Sequence, residues 1–159
     1  MLKTILACIF SFTIIASAHA EMIHHKGLEV SDAWVRATPP HHGVSAGYMK
    51  ITNTNGMSDR LISVSSPFAV RNEVHEMKMD GDVMKMREIE TGLEIPASGA
   101  VVLEPGGYHF MFMDLQEQII PDERYPLTLS FEKAGDIVVF MTAKKSAPGG
   151  SHHHGHKKH

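Results

Sequence analysis

The stretch Val74–Met86 reads VHEMKMDGDVMKM and holds four methionines, one histidine and no cysteine. Methionine ordinarily fills gaps in cores, yet here charged residues alternate with it. Asp-Gly is favoured in two-residue β-hairpin loops of type I′, which need positive φ at both central positions. With Asp80-Gly81 in that role, Met79 faces Asp82, Met77 faces Met84 and His75 faces Met86. Strand side chains alternate, so His75, Met77 and Met79 share one face. Opposite residues in such a ladder have Cβ atoms about 4.5–5.5 Å apart. The hairpin is therefore expected to set an imidazole beside a thioether, with a further thioether pair towards the turn. This is one half of a candidate metal site.

A second stretch supplies the other half. Tyr108–Leu115, YHFMFMDL, places His109, Met111 and Met113 on one strand face and Phe110 and Phe112 on the other. The phenylalanines are natural core residues, which turns His109 and Met111 outward. A tight turn at Pro105–Gly107 precedes them. Two His-x-Met units thus occur, His75/Met77 and His109/Met111. Met79, Met84 and Met86 add to the same cluster. Thioethers are soft, neutral and need no deprotonation, which suits Cu(I). Zinc is normally held by Cys, His or carboxylate, and Met-rich spacing argues against it. Met49, Met57 and Met141 stand outside the cluster and are read as packing residues.

The rest of the body reads as short strands: Val30–Ala37, Ala46–Thr52, Leu61–Ser65, Ala69–Met79, Val83–Ile89, Ala100–Leu103, His109–Leu115, Leu127–Phe131 and Ile137–Thr142. They are rich in β-branched and aromatic residues and bounded by turn signals at Asn55-Gly56, Asp80-Gly81 and Gly106-Gly107. No long stretch keeps a helical period. An antiparallel sandwich or barrel is expected.

The ends differ in kind. Residues 1–20 read as a secretory signal peptide, with Lys3 ahead of an apolar run and Ala18-His19-Ala20 as the cleavage motif. Cleavage after Ala20 exposes Glu21; cleavage after Ala18 would expose His19. Cys8, the single cysteine, lies inside the apolar run, too early for a lipoprotein site. The mature chain is then cysteine-free, exported and without a disulfide or thiolate ligand. Its net charge is negative, and no basic stretch interleaves with aromatics, so nucleic acid is not an expected partner. No second long apolar run exists, so no stable membrane insertion is expected after signal removal. Residues 144–159 carry His152, His153, His154, His156 and His159 among lysines and glycines, with nothing to bury. They read as a disordered His-rich tail whose imidazoles suit Cu(II).

From about Val30 to Thr142 the chain resembles the PCuAC family of periplasmic copper chaperones. The resemblance is carried by SDAWVRATPP, SAGYMKITNT, DRLISVSSP, NEVHEMKMDGDVMKMREIE, GLEIPASGAVVLEPGGYHFMFMDL and YPLTLSFEKAGDIVVFMTA. The family motif is a His, ten residues, a Met, then a distant His-x-Met. His75, Met86, His109 and Met111 occupy those positions. The interval from Met86 to His109 is one residue longer than usual, around Thr91, in a turn-rich connection. The resemblance implies an all-β, cupredoxin-like Greek-key sandwich over residues 21–143 that carries copper and is not an enzyme. It further implies one Cu(I) held by those four residues at an exposed site; the clustering of thioethers, apart from the resemblance, makes Met77, Met84 and Met113 candidate additional ligands. The implied recipient is the binuclear copper centre of cytochrome c oxidase, reached directly or through another copper carrier. Two other roles are compatible with the sequence: copper buffering for tolerance, and a copper oxygenase using an N-terminal His19. A blue-copper electron carrier is disfavoured, because it needs a Cys thiolate.

Overall fold

The computed structural model describes residues 22–145. Among them eleven strands and no helix occur: β1 (Ile23–His25), β2 (Leu28–Arg36), β3 (Val44–Asn53), β4 (Asp59–Ser65), β5 (Ala69–Asp80), β6 (Val83–Glu88), β7 (Leu93–Ile95), β8 (Gly99–Leu103), β9 (Tyr108–Leu115), β10 (Arg124–Phe131) and β11 (Gly135–Lys144). The nine expected strands are all present, with β1 and β7 in addition. These two have three residues each, too few for a periodic signal. β11 reaches Lys144, the first residue of the expected tail. The signal segment and the tail histidines lie outside the described residues.

Hydrogen-bonded neighbours follow one path, β6-β5-β9-β8-β3-β2-β11-β10-β4-β7, with β9 also paired to β3. The path folds back on itself. Phe68, in the β4–β5 connection, packs edge-on against Phe112 of β9 and Tyr125 of β10, with ring centroids 5.0 and 5.4 Å away. Strands far apart on the path thus share one core, and the expected β-sandwich is formed. Most pairings are antiparallel. Two short ones are parallel, β2 with β11 and Leu103 with Tyr108.

Sequence alternation predicts which side chains enter this core. In β10 the residues Tyr125, Leu127, Leu129 and Phe131 are buried, and those between them are not. β11 buries Ile137, Val139, Met141 and Ala143 in the same rhythm. Pro126, which has no N–H to donate, lies beyond the reach of β4, whose pairing with β10 begins at Thr128. β2 breaks its alternation between Ser31 and Trp34, where the register shifts and Asp32 has φ 56°. That bulge allows Trp34 and Val35 both to be buried.

The site is positioned by β3 and β9. β3 pairs with β8 along its second half and with β9 along its first, from Val44 to Gly47. This seats β9 between β3 and β5. Gly47 makes the close approach possible: a Cβ there would lie 2.7 Å from the Phe112 ring and 3.2 Å from Met141 Sδ. β6 hangs on the outer edge of β5, and every one of its residues is exposed.

Candidate metal centre

The hairpin forms, but its register differs from the expected one. Asp80 pairs with Val83, Met79 with Met84, Met77 with Met86 and His75 with Glu88. The two loop residues are therefore Gly81 and Asp82. Gly81 has φ 63° and Asp82 is not among the positive-φ residues. Glycine first, with positive φ only there, is the pattern of a type II′ loop. Asp-Gly and Gly-Asp are both turn dipeptides, and the overlapping DGD leaves local preference undecided. The slip is two residues, and side chains alternate with period two, so every side chain keeps its face. His75 and Met86 remain on one face as diagonal neighbours rather than direct partners.

The two histidines are brought together directly. His75 of β5 and His109 of β9 are cross-strand partners, with ring centroids 5.8 Å apart. Met86 closes over them from the edge strand, its Sδ 3.3 Å from His109 Nε2. Met111 stands two residues beyond His109 on the same face, between Glu73 of β5 and Ala46 of β3. Met113 is a further step away, opposite Arg71 and Val44. Met77 pairs with Met86, while Met79 and Met84 form the next pair towards the turn.

His109 points away from the Phe110/Phe112 core as expected, but it is not exposed. It is only 5% accessible, because the hairpin and the ring of Tyr48, 6.5 Å away, cover it. Tyr48 in turn stacks on Trp34 at 4.4 Å and accepts a hydrogen bond from Arg36 at 3.4 Å. Burial holds the His109 pKa below the ordinary imidazole value. Its bond to Gly107 opposes that shift, and the nearby His75 and Arg36 charges reinforce it.

On each ring one nitrogen is held by a protein oxygen and the other is not. His109 Nδ1 lies 3.1 Å from the Gly107 carbonyl, which can only accept, so Nδ1 carries the proton of the neutral ring. Nε2 then presents a lone pair beside the Met86 sulfur. His75 Nε2 lies 2.8 Å from Glu73 Oε2 and donates to it. His75 Nδ1 is left buried and without a hydrogen-bond partner. An orphaned buried acceptor is rare and calls for a reason. His75 Nδ1, His109 Nε2 and Met86 Sδ are all donor atoms of the kind that bind soft metal ions. The Glu73–His75 contact is the carboxylate–histidine arrangement that orients ligating imidazoles and raises their basicity.

Sequence reasoning missed Glu73, the Gly107 carbonyl and the Tyr48/Arg36 backing. Glu73 had a usable signal, since it sits two residues before His75 on the same strand face. The other contacts join separate strands. Among the described residues no group of three or more His, Cys, Asp or Glu is placed to hold a metal. Thr91 lies in a turn closed by Gly92 N–H donating to Ile89 O at 3.2 Å. Of the methionines read as packing residues, Met49 and Met141 are buried, but Met57 is 69% exposed in the β3–β4 loop. His24 sits 3.3 Å from Glu29, and the His42 ring accepts a weak bond from Val44 N–H at 3.4 Å.

A β-sandwich whose edge hairpin closes thioethers over a pair of half-satisfied imidazoles defines a class: small all-β domains with a His/Met donor cluster. The chain belongs to the LpqE-like family, described as "Putative lipoprotein LpqE-like", which matches residues 28–143 and is the PCuAC family. It is 29% identical over 129 residues to "Putative lipoprotein Lxx21020" of Leifsonia xyli subsp. xyli, covering 81% of this chain and 76% of that protein. Among solved structures it is similar to the solution structure of CuI-DR1885 from Deinococcus radiodurans. That match has a TM-score of 0.62 and 28% identity, over 84% of this chain and 86% of the other. The copper-bound PCuAC domain from PmoF2 matches with a TM-score of 0.67 and 21% identity, over 79% and 99% of the two chains, a likeness of fold.

Proposed function

We propose that this protein is an exported copper chaperone that carries one Cu(I) between His75 Nδ1, Met86 Sδ, His109 Nε2 and Met111 Sδ. The observation that carries the reading is the pair of imidazole nitrogens held by no protein oxygen, one orphaned and one 3.3 Å from a thioether. Membership of the PCuAC family, whose members carry metal rather than catalyse, supports it.

Copper is the cargo, and the chain's residues hold and release it. Two neutral imidazoles and two neutral thioethers add no charge of their own, which favours the monovalent ion over the divalent one. Glu73 and the Gly107 carbonyl fix the rings, so the nitrogens are set before the metal arrives. The sulfur donors close the site from different sides, Met86 on the exposed edge strand and Met111 on the central strand. Release follows from the same chemistry. Thioethers bind less strongly than thiolates, so transfer to a cysteine-bearing recipient is downhill. Met86, 49% exposed on the edge strand, is the ligand an incoming thiolate would displace.

The recipient in this proposal is a copper-handling partner, namely the copper subunit of cytochrome c oxidase or an intermediate carrier. Residues 1–20 direct export to the periplasm. His152, His153, His154, His156 and His159 form a separate Cu(II)-binding tail. Anaerobic Cu(I) titration of the mature protein with X-ray absorption tests the central claim. Mixed sulfur and nitrogen scatterers at one equivalent are expected; absence of Cu(I) binding would overturn it. A truncation after Lys145 is expected to keep Cu(I) binding and lose most Cu(II) binding. Undiminished Cu(II) binding by the truncated form would remove the tail from the proposal.

A further inference from the structure

The hairpin carries more thioethers than the site just described uses. Met79 and Met84 are direct cross-strand partners, and so are Met77 and Met86. All four lie on one face, as a two-by-two array leading from the turn to His75 and His109. The opposite face is charged. There Glu76 accepts from Arg87 at 2.8 Å, Asp80 pairs with Lys85, and Lys78 lies opposite Lys85. The hairpin thus has one ionic face and one face of methionines.

Packing does not account for the methionine face. Met79 and Met84 are 54% and 49% exposed, and Met77 is only partly covered. Strand positions that need only an apolar surface favour β-branched or aromatic residues. A flexible side chain of three rotatable bonds loses more entropy when held in place. What methionine offers at such a position is its sulfur. Cβ atoms of directly opposed residues stand about 4.5–5.5 Å apart, within reach of sulfurs converging on one ion. Met86 is already drawn to His109 Nε2. Met77, Met79 and Met84 remain.

We propose that Met77, Met79 and Met84 form a second Cu(I) site at the hairpin tip, separate from the histidine site and one cross-strand step from it. The ligand is a soft monovalent metal ion, for which an all-thioether set is selective. Binding exchanges the donors around copper: three sulfur lone pairs replace solvent or carrier donors, no proton is released, and copper remains Cu(I). The array is then an entry and exit station. Met77 and Met86, paired across the ladder, connect it to the inner ligands. That station role rests on the inner site being a Cu(I) site; the existence of the tip site does not.

The test uses the full mature chain with methionine methyl groups labelled by carbon-13, titrated with Cu(I) alone under anaerobic conditions. Resonances are assigned by single Met→Leu substitutions. The His-rich tail contains no methionine, so it contributes nothing to this readout. The expected result is two stages: Met86 and Met111 shift first, then Met77, Met79 and Met84 shift together. Met79→Leu/Met84→Leu should keep the first stage and weaken the second by about tenfold or more, at least the scale on which outer-shell losses are felt. If Met79 and Met84 never move, or move together with Met86 in a single stage, the tip site does not exist. If they move while Met86 and Met111 stay still, the tip site stands and the inner-site reading falls.

Discussion

Methionine occupies two different settings in this chain, and the contrast lies between the sandwich core and the edge hairpin. Met49 on β3 and Met141 on β11 are almost fully buried. Met141 Sδ and the Phe112 ring fill the space that a Cβ at Gly47 would need. There the thioether is a flexible hydrocarbon filling an irregular gap. On the hairpin the same residue stands half in solvent, with one sulfur against an imidazole nitrogen. In the proposed copper site its lone pairs matter and its volume matters little. One residue type thus reads as packing or as ligand according to the face it occupies.

The comparison can be broken most sharply in the core. Met141→Ala should cost about 2–5 kcal/mol of stability, the usual range for emptying a buried site of this size. Cu(I) affinity of the molecules that remain folded should be unchanged. Denaturant unfolding combined with a Cu(I) competition titration measures both, and a selective loss of affinity would blur the two roles.

Met86→Leu and Met111→Leu should behave in the opposite way. Volume is nearly conserved, so the stability change should stay below about 1.5 kcal/mol. Affinity should fall by at least about a hundredfold, or about 2.7 kcal/mol. Variants that bind Cu(I) like the parent while unfolding readily would make these methionines packing residues after all.

Glu73→Gln should weaken Cu(I) binding by about ten- to a hundredfold, because the outer partner of a ligating histidine is altered while both ligand atoms remain. Glu73→Asp, which keeps the carboxylate, should lose less. Equal losses in the two variants would point to packing around Glu73 rather than to its charge.

The smallest effect concerns acid. The folded-state pKa of His109 lies below the unfolded value of about 6.5. Between those two values the unfolded chain binds a proton that the folded one refuses. His109's contribution to apo stability is therefore complete above the unfolded pKa and is lost as pH falls towards the folded one. Urea unfolding of the metal-free parent and of His109→Asn, followed across that window, isolates the contribution. Parallel stability curves would mean that His109 exchanges protons equally in both states.

The contrast also explains what was legible early. Alternation in YHFMFMDL fixed which face Phe110 and Phe112 would take, and that face does enter the core. The same alternation predicted a common face for His75 and Met86, and a two-residue slip left it intact. The direct partner was misjudged because DGD can close a two-residue loop from either glycine neighbour. Which choice prevails depends on how β5 is held along β9, and that pairing is non-local. Short β1 and β7 leave no sequence signal for a related reason: three residues have no period.

Taken alone, the sequence determined the strand-rich class, the inward and outward faces, and the donor chemistry of the cluster, because each is set by residue type and a period of two. Only the tertiary structure decided that His75 meets His109 across β5 and β9, that the hairpin buries His109, and which ring nitrogens are left free. Those depend on Glu73, Gly107 and Tyr48 meeting the histidines in space. Free nitrogens are a property of hydrogen-bond partners, and partners brought together by strand pairing leave no mark in the local pattern.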